Sequence, residues 1–389
     1  MIHALKNIGK LKSVFIVGFM LTMGMALTSY VDSSFIENFM PSSKVGLLFA
    51  LASFITLIST INLPKILEKF GAFDSLRFIS SIYVLSIIGL VTVNKEIFLQ
   101  IIFLSYFISA VTIYLIVDII IEHYSDRKNA GNTRGIYLTI YNLAFLIGPF
   151  IAGLLIELAG FKGVYLLSGF FVILMTYFFI SEFKDLHLFP ARQDKNFLSS
   201  FTKLLNNNDL RGVYFVGFTL NFFFALMTIY MPIFLHDMVG LEWKEIGLIF
   251  ALMHIPYILF EIPWGKLADN KYGEKEIMSI GIIIISISTI LIGVLSSDKF
   301  WFWALMLAIT RVGASMIQVT TESYFFKKID KDNTDMISIF RNTSPISLLI
   351  GPVIATIILT FATYQELFII LGAIVMLALV ASFSLKDTK

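Results

Sequence analysis

The sequence predicts an all-α integral membrane protein, with twelve transmembrane helices in two pseudo-symmetric six-helix bundles. Three observations carry the prediction. Of the 389 residues, 57% are apolar and only 14% charged, where a soluble domain carries about 25% charged residues. Apolar stretches long enough to cross a bilayer fill most of the chain. The two halves also resemble one another at an offset near 203 residues. A formal net charge of +2 argues against a nucleic-acid partner, which calls for basic charge gathered on one face. With no cysteine, disulfides, thiolate metal sites and cysteine nucleophiles are excluded as well.

A helix needs about 20 mostly apolar residues to cross the hydrocarbon core. Reading between charged or turn-rich breaks places spans at 12–33, 43–63, 75–93, 97–121, 134–157 and 163–183. Six more follow at 210–235, 244–264, 276–296, 300–325, 335–361 and 364–385. The first apolar run, from Leu11, is long enough to be a span, so no cleavable signal is expected. Lys and Arg set the orientation. With the N-terminus in the cytoplasm, 22 of them fall on the cytoplasmic side, and only Lys44, Lys95, Lys162, Lys244 and Lys299 fall outside. That bias places both termini in the cytoplasm, and the expected home is the plasma membrane. The polar segment 184–209 separates an N-terminal bundle, 1–183, from a C-terminal bundle, 210–389. Within it Phe197, Phe201, Leu204 and Leu205 recur at helical spacing, which suits a short interfacial amphipathic helix or, failing that, a flexible linker.

The internal repeat rests on four matches. Gly148-Pro149 in span five faces Gly351-Pro352 in span eleven, and 46–50 (GLLFA) faces 247–251 (GLIFA). Lys69-Phe70-Gly71 faces Lys271-Tyr272-Gly273, and Asp118, seven residues before Ser125-Asp126, faces Glu322, seven before Ile329-Asp330. Two tandem halves that both start in the cytoplasm are the parallel repeat of a rocking transporter, with its site at the midplane between them.

Three motifs are more specific. The loop after span eight, from Gly265 through Asp269, Lys271 and Gly273 to Lys275, is similar to a G-x-L-A-D-R-x-G-R-K loop, with Glu274 where a basic residue is usual. The fifth span, Gly135-x8-Ala144-x3-Gly148-Pro149-x2-Ala152-Gly153, follows a G-x8-G-x3-G-P-x2-G-G spacing. Arg311, in Arg-Val-Gly-Ala-Ser, partly matches an R-x-x-x-G pattern, with Phe107 at the counterpart position in span four. In these features the chain resembles the major facilitator superfamily over essentially its whole length. The resemblance implies a charge network that closes the cytoplasmic side, built here from Asp269, Lys271 or Lys275, and Glu322. Glu68, Lys69 and Asp118 would form a second, weaker copy. Through the fifth-span pattern the resemblance also leans toward export.

A charge near the bilayer centre needs a partner or a wet cavity. In span ten Arg311, Ser315, Gln318 and Glu322 fall at i, i+4, i+7 and i+11, a stripe about 16 Å long on one face. Arg311 reads as a substrate or coupling residue, or as half of a structural pair. In span eight His254, Tyr257 and Glu261 share a face. His254 can take a proton near neutral pH or serve as a hydrogen-bonded core residue, and Glu261 is placed to pair with Arg341 from span eleven. Asp32, toward the outer end of span one, reads as a protonation site, since a desolvated carboxylate can exchange a proton as its access alternates. The alternative is a wet residue at the helix end. Asn142, in span five, and Asn221, in span seven, read as cavity hydrogen-bonders.

The leading expectation is proton-coupled efflux of a small, fairly hydrophobic compound by alternating access. Uptake of a small anionic metabolite read by Arg311 and Arg341, or lipid translocation, are the alternatives. The expected partners are the bilayer, the substrate and protons, with the chain acting as a monomer. There is no H-E-x-x-H, no Walker-type loop and no metal-ligand cluster in the sequence, so neither an enzyme nor a cofactor nor a metal is expected.

Overall fold

The computed structural model describes residues 2–124, 130–184, 186, 188, 197–329 and 334–386. Ser125, Asp126 and Asp330 of the repeat lie outside the described residues. The helices are α1 (Ile2–Thr28), α2 (Asp32–Glu37), α3 (Ser42–Thr92), α4 (Glu96–Tyr124), α5 (Ala130–Glu182), α6 (Phe197–Asn206), α7 (Asn208–Ile233) and α8 (Trp243–Leu252). They continue with α9 (Ile255–Leu267), α10 (Glu274–Val294), α11 (Phe300–Lys328), α12 (Thr334–Arg341), α13 (Thr343–Leu359), α14 (Tyr364–Met376) and α15 (Ala378–Ser384).

Among the described residues, ten helical stretches are long and apolar enough to cross a membrane. Two of them, within α3 and α5, run for 49 and 44 residues, about twice what one crossing needs. Each folds back at a glycine, Gly71 at φ 75° and ψ 163°, and Gly160 at φ 67° and ψ −176°, which makes twelve crossings in all. Such φ values are open to glycine almost alone. Gly273, which opens α10, has φ 94° and ψ 158°. The two copies of the Lys-aromatic-Gly tripeptide therefore share a backbone turn as well as a sequence.

Two prolines interrupt spans that read as continuous. Pro256 has no N–H to offer the Leu252 carbonyl, and α8 stops at Leu252 before α9 resumes at Ile255. Pro345 stands in the same relation to Arg341, where α12 gives way to α13. Outward-facing apolar residues such as Phe361, Leu158 and Tyr177 are 90%, 83% and 75% exposed; in a bilayer, lipid tails supply the contacts that a soluble protein would have to find elsewhere.

Contacts divide the chain into two compact units, 1–41 with 51–193, and 42–50 with 194–389. In the first unit α1 packs chiefly on α5 and also on α4. A Cβ on Gly148 would stand 2.7 Å from Ala26 Cβ and 2.9 Å from the Ala26 carbonyl carbon, so only glycine lets α5 approach α1 this closely. In the second unit α10 packs on α11 and α14, and α7 on α13 and α11. Gly351 repeats the device there, bringing α13 against Leu226, Ala225 and Phe222 of α7. Residues 42–50, the start of α3, belong to this second unit. A Cβ on Gly46 would overlap the Tyr230 hydroxyl, which itself donates to the Pro352 carbonyl at 3.3 Å.

The segment before α7 carries α6, with Leu204 buried and the Phe201 ring edge-on to Tyr214 at 6.3 Å. The Asn207 side chain accepts from the Asp209 and Leu210 N–H groups at 3.0 and 3.1 Å and so caps α7.

Candidate functional site

Asp32 lies just beyond the end of α1 and is only 6% exposed. The Tyr165 hydroxyl donates to its Oδ1 at 2.7 Å. Around that bond lie the rings of Phe35, Tyr106 and Tyr83: Phe35 is 4.7 Å and Tyr106 5.8 Å from Tyr165 between centroids, and Tyr83 is 5.2 Å from Tyr106. The Tyr106 and Thr28 hydroxyls share a hydrogen bond of 2.5 Å. Ser168 Oγ donates to the Gly24 carbonyl at 2.9 Å and stands 3.4 Å from the Tyr83 hydroxyl. Four helices thus surround one carboxyl group with hydroxyls. Such a group can be held in either protonation state, because each hydroxyl can donate or accept.

In the second unit Arg311 is 4% exposed on α11. Its guanidinium lies over the Phe224 ring at 4.9 Å and near Phe223 at 5.8 Å. Its Nε–H is sealed from solvent without a hydrogen-bond partner. Among the described residues no carboxylate forms an ion pair with it. Stacking on aromatic faces returns about 2 kcal/mol when desolvated. A cation at the centre of a membrane helix costs about 3 kcal/mol even on the mildest scale, and each unmet buried donor adds about 1–3 kcal/mol. The aromatic contacts alone do not balance those costs.

His254 lies within electrostatic range of Arg311. It sits at the proline break, and its Nδ1–H donates to the Phe250 carbonyl at 2.8 Å. That bond fixes the tautomer and leaves Nε2 as the acceptor. Tyr257 is one turn on, with ring centroids 6.4 Å apart. The interruption of span eight thus falls at a residue that feels the buried cation.

The remaining candidates are distributed as follows. Gln318 is half-buried on α11, and Asn142 is half-buried on α5. Asn221 holds α7 to α13, donating to the Gly217 carbonyl at 2.9 Å and to Thr343 Oγ1 at 3.1 Å. The charge bearing on Glu261 is that of Glu322, and the structure brings no ion pair between Glu261 and Arg341, which is exposed at the end of α12. Glu68 and Lys69 are exposed, with the Lys69 ammonium over the Phe70 ring at 5.1 Å, and Asp118 is half-buried.

Where α9 ends in the second unit, Asp269 pairs with Lys327 at 2.8 Å. Lys327 also pairs with Glu274, whose side chain is 1% exposed. Ser323 Oγ donates to the same Glu274 oxygen at 3.0 Å. The sequence pointed to Lys271 or Lys275 for this role. Lys271 instead lies over the Tyr272 ring at 4.8 Å, and Lys275 donates to the Leu385 carbonyl at 3.1 Å. Glu274 explains the exchange: an acid in a slot that is usually basic calls for its base on the facing helix end, and Lys327 supplies it. The sequence reading missed Lys327, Glu274 and the tyrosines around Asp32. Only the first pair left a signal, the unexpected sign of Glu274.

The family model of the Major Facilitator Superfamily matches residues 14–255 and 240–389. An uncharacterized MFS-type transporter of Methanocaldococcus jannaschii is 26% identical over 235 residues, and that match spans 59% of each protein. Among solved structures, a point mutant of the nucleoside transporter NupG superposes with a TM-score of 0.77 at 13% identity, over 96% of this chain and 98% of that one. The POT family transporter PepTSo superposes with a TM-score of 0.74 at 13% identity, over 96% of each chain.

Proposed function

The chain belongs to the Major Facilitator Superfamily, and on that premise we propose that it is a secondary transporter that works by alternating access and couples substrate movement to protons. The observation that carries the coupling is Asp32, buried and hydrogen-bonded by Tyr165. A carboxyl group without bulk water gives up its charge readily, and it exchanges its proton when the bundle opens to one side. The direction proposed is export of a small, fairly hydrophobic compound, supported by the fifth-span glycine pattern and the aromatic lining around Arg311. The 22-to-5 distribution of Lys and Arg supports both termini lying in the cytoplasm; the protein is taken to act in the plasma membrane as a monomer.

The test is proton flux in proteoliposomes carrying an interior pH dye, challenged in turn with lipophilic cations, sugars, amino acids and organic anions. One class should trigger flux under an imposed proton gradient. Silence from every class, with the protein demonstrably folded, would remove the proton-coupled reading and leave uniport or lipid translocation.

A further inference from the structure

We infer that the transported compound carries a single acidic group, a carboxylate or its equivalent, that pairs with Arg311 while its apolar body lies on Phe224. The inference rests on the transport reading above and adds the substrate class to it. Arg311 is buried, stacked on two aromatic faces, unbonded at Nε and without a carboxylate partner among the described residues. A guanidinium offers a planar fork of donors that matches a carboxylate. The half-buried Phe224 ring gives such a ligand an apolar surface beside its charge, with the fully buried Phe223 ring behind the guanidinium. His254, in electrostatic range, has its Nδ1–H committed to the Phe250 carbonyl. A neutral His254 adds no charge to that of Arg311, so one negative charge balances the site. A dianionic phosphate would be left half compensated.

The test uses the purified full-length protein and three probes of one shape: 4-phenylbutyrate, 4-phenylbutyramide and 4-phenylbutylamine. Binding is read as a ligand-induced rise in melting temperature and by calorimetry. The carboxylate should bind and the amide and amine should not. Arg311→Gln should weaken carboxylate binding by roughly 10- to 100-fold, the usual worth of a hydrogen bond to a charged group. Phe224→Leu should weaken it less. Arg311→Lys, which keeps the charge and loses the fork, should fall between, and it serves as the reading variant if Arg311→Gln does not fold. Equal binding of all three probes, no binding of the carboxylate, or carboxylate binding untouched by both Arg311 variants would overturn the inference. The two readings fail separately. Carboxylate binding through Arg311 without any flux in proteoliposomes defeats transport and leaves the ligand class standing. Flux triggered by neutral or cationic compounds and unchanged in Arg311→Gln does the reverse.

Discussion

Lys327 is the residue on which the electrostatics around Asp269 and Glu274 turns, because it faces the carboxylate of Glu274, which has almost no contact with solvent. Removing one partner of a buried pair leaves the other charge stranded, which is far costlier than deleting both. Lys327 is itself 43% exposed, so the penalty falls below that of a fully buried pair. Lys327→Met should cost about 2 kcal/mol, and Lys327→Met combined with Glu274→Gln should recover most of it; thermal unfolding in detergent reads both. Loss of stability from the single change alone, without recovery in the pair, would mean that Lys327 acts through its bond to Asp269. At Asp32, Tyr165→Phe removes the 2.7 Å donor to the buried carboxyl group. It should cost about 1–2 kcal/mol and reduce proton flux more than Tyr83→Phe, whose hydroxyl is a step further away. Asp32 was legible in the sequence as an acid in an apolar span. Tyr165 was not, because it lies 133 residues away, and no spacing rule reaches across helices whose rotation is unknown.

Among the helices, the Gly-Pro pairs of spans five and eleven are the most informative repeat, and their two glycines are not equivalent. At Gly148 a Cβ meets Ala26, including its backbone, whereas at Gly351 it meets first the end of the Leu226 side chain. A flexible side chain can give way and a helix backbone cannot. Gly148→Ala should therefore cost about 1–3 kcal/mol and Gly351→Ala less, a difference that monodispersity and melting temperature would register. Comparable losses at both sites would mean that Leu226 is as rigidly packed as the helix. The Gly-Pro and Lys-aromatic-Gly repeats were readable because backbone demands are written in residue type. The breaks at Pro256 and Pro345 were not read from the sequence, where span lengths suggested continuous helices. Which lysine pairs with Asp269 was not readable, since loop and helix end offer the same charge.

Taken whole, the molecule is a membrane-spanning chain of two six-helix bundles, and the distribution of its basic residues predicts one orientation for them. The absence of cysteine makes that orientation directly measurable. Single cysteines at Lys203 and Lys328 should react with a membrane-impermeant maleimide only from the cytoplasmic side, and those at Lys162 and Lys299 only from outside. Labelling of either pair from the opposite side would invert the topology. The most direct test of coupling is a comparison of wild type and Asp32→Asn in matched proteoliposomes with an interior pH dye, at equal amounts of folded protein and the same imposed gradient. Substrate-triggered proton flux should be present in the first and absent in the second. Equal flux in the two would contradict the assignment of proton coupling to Asp32.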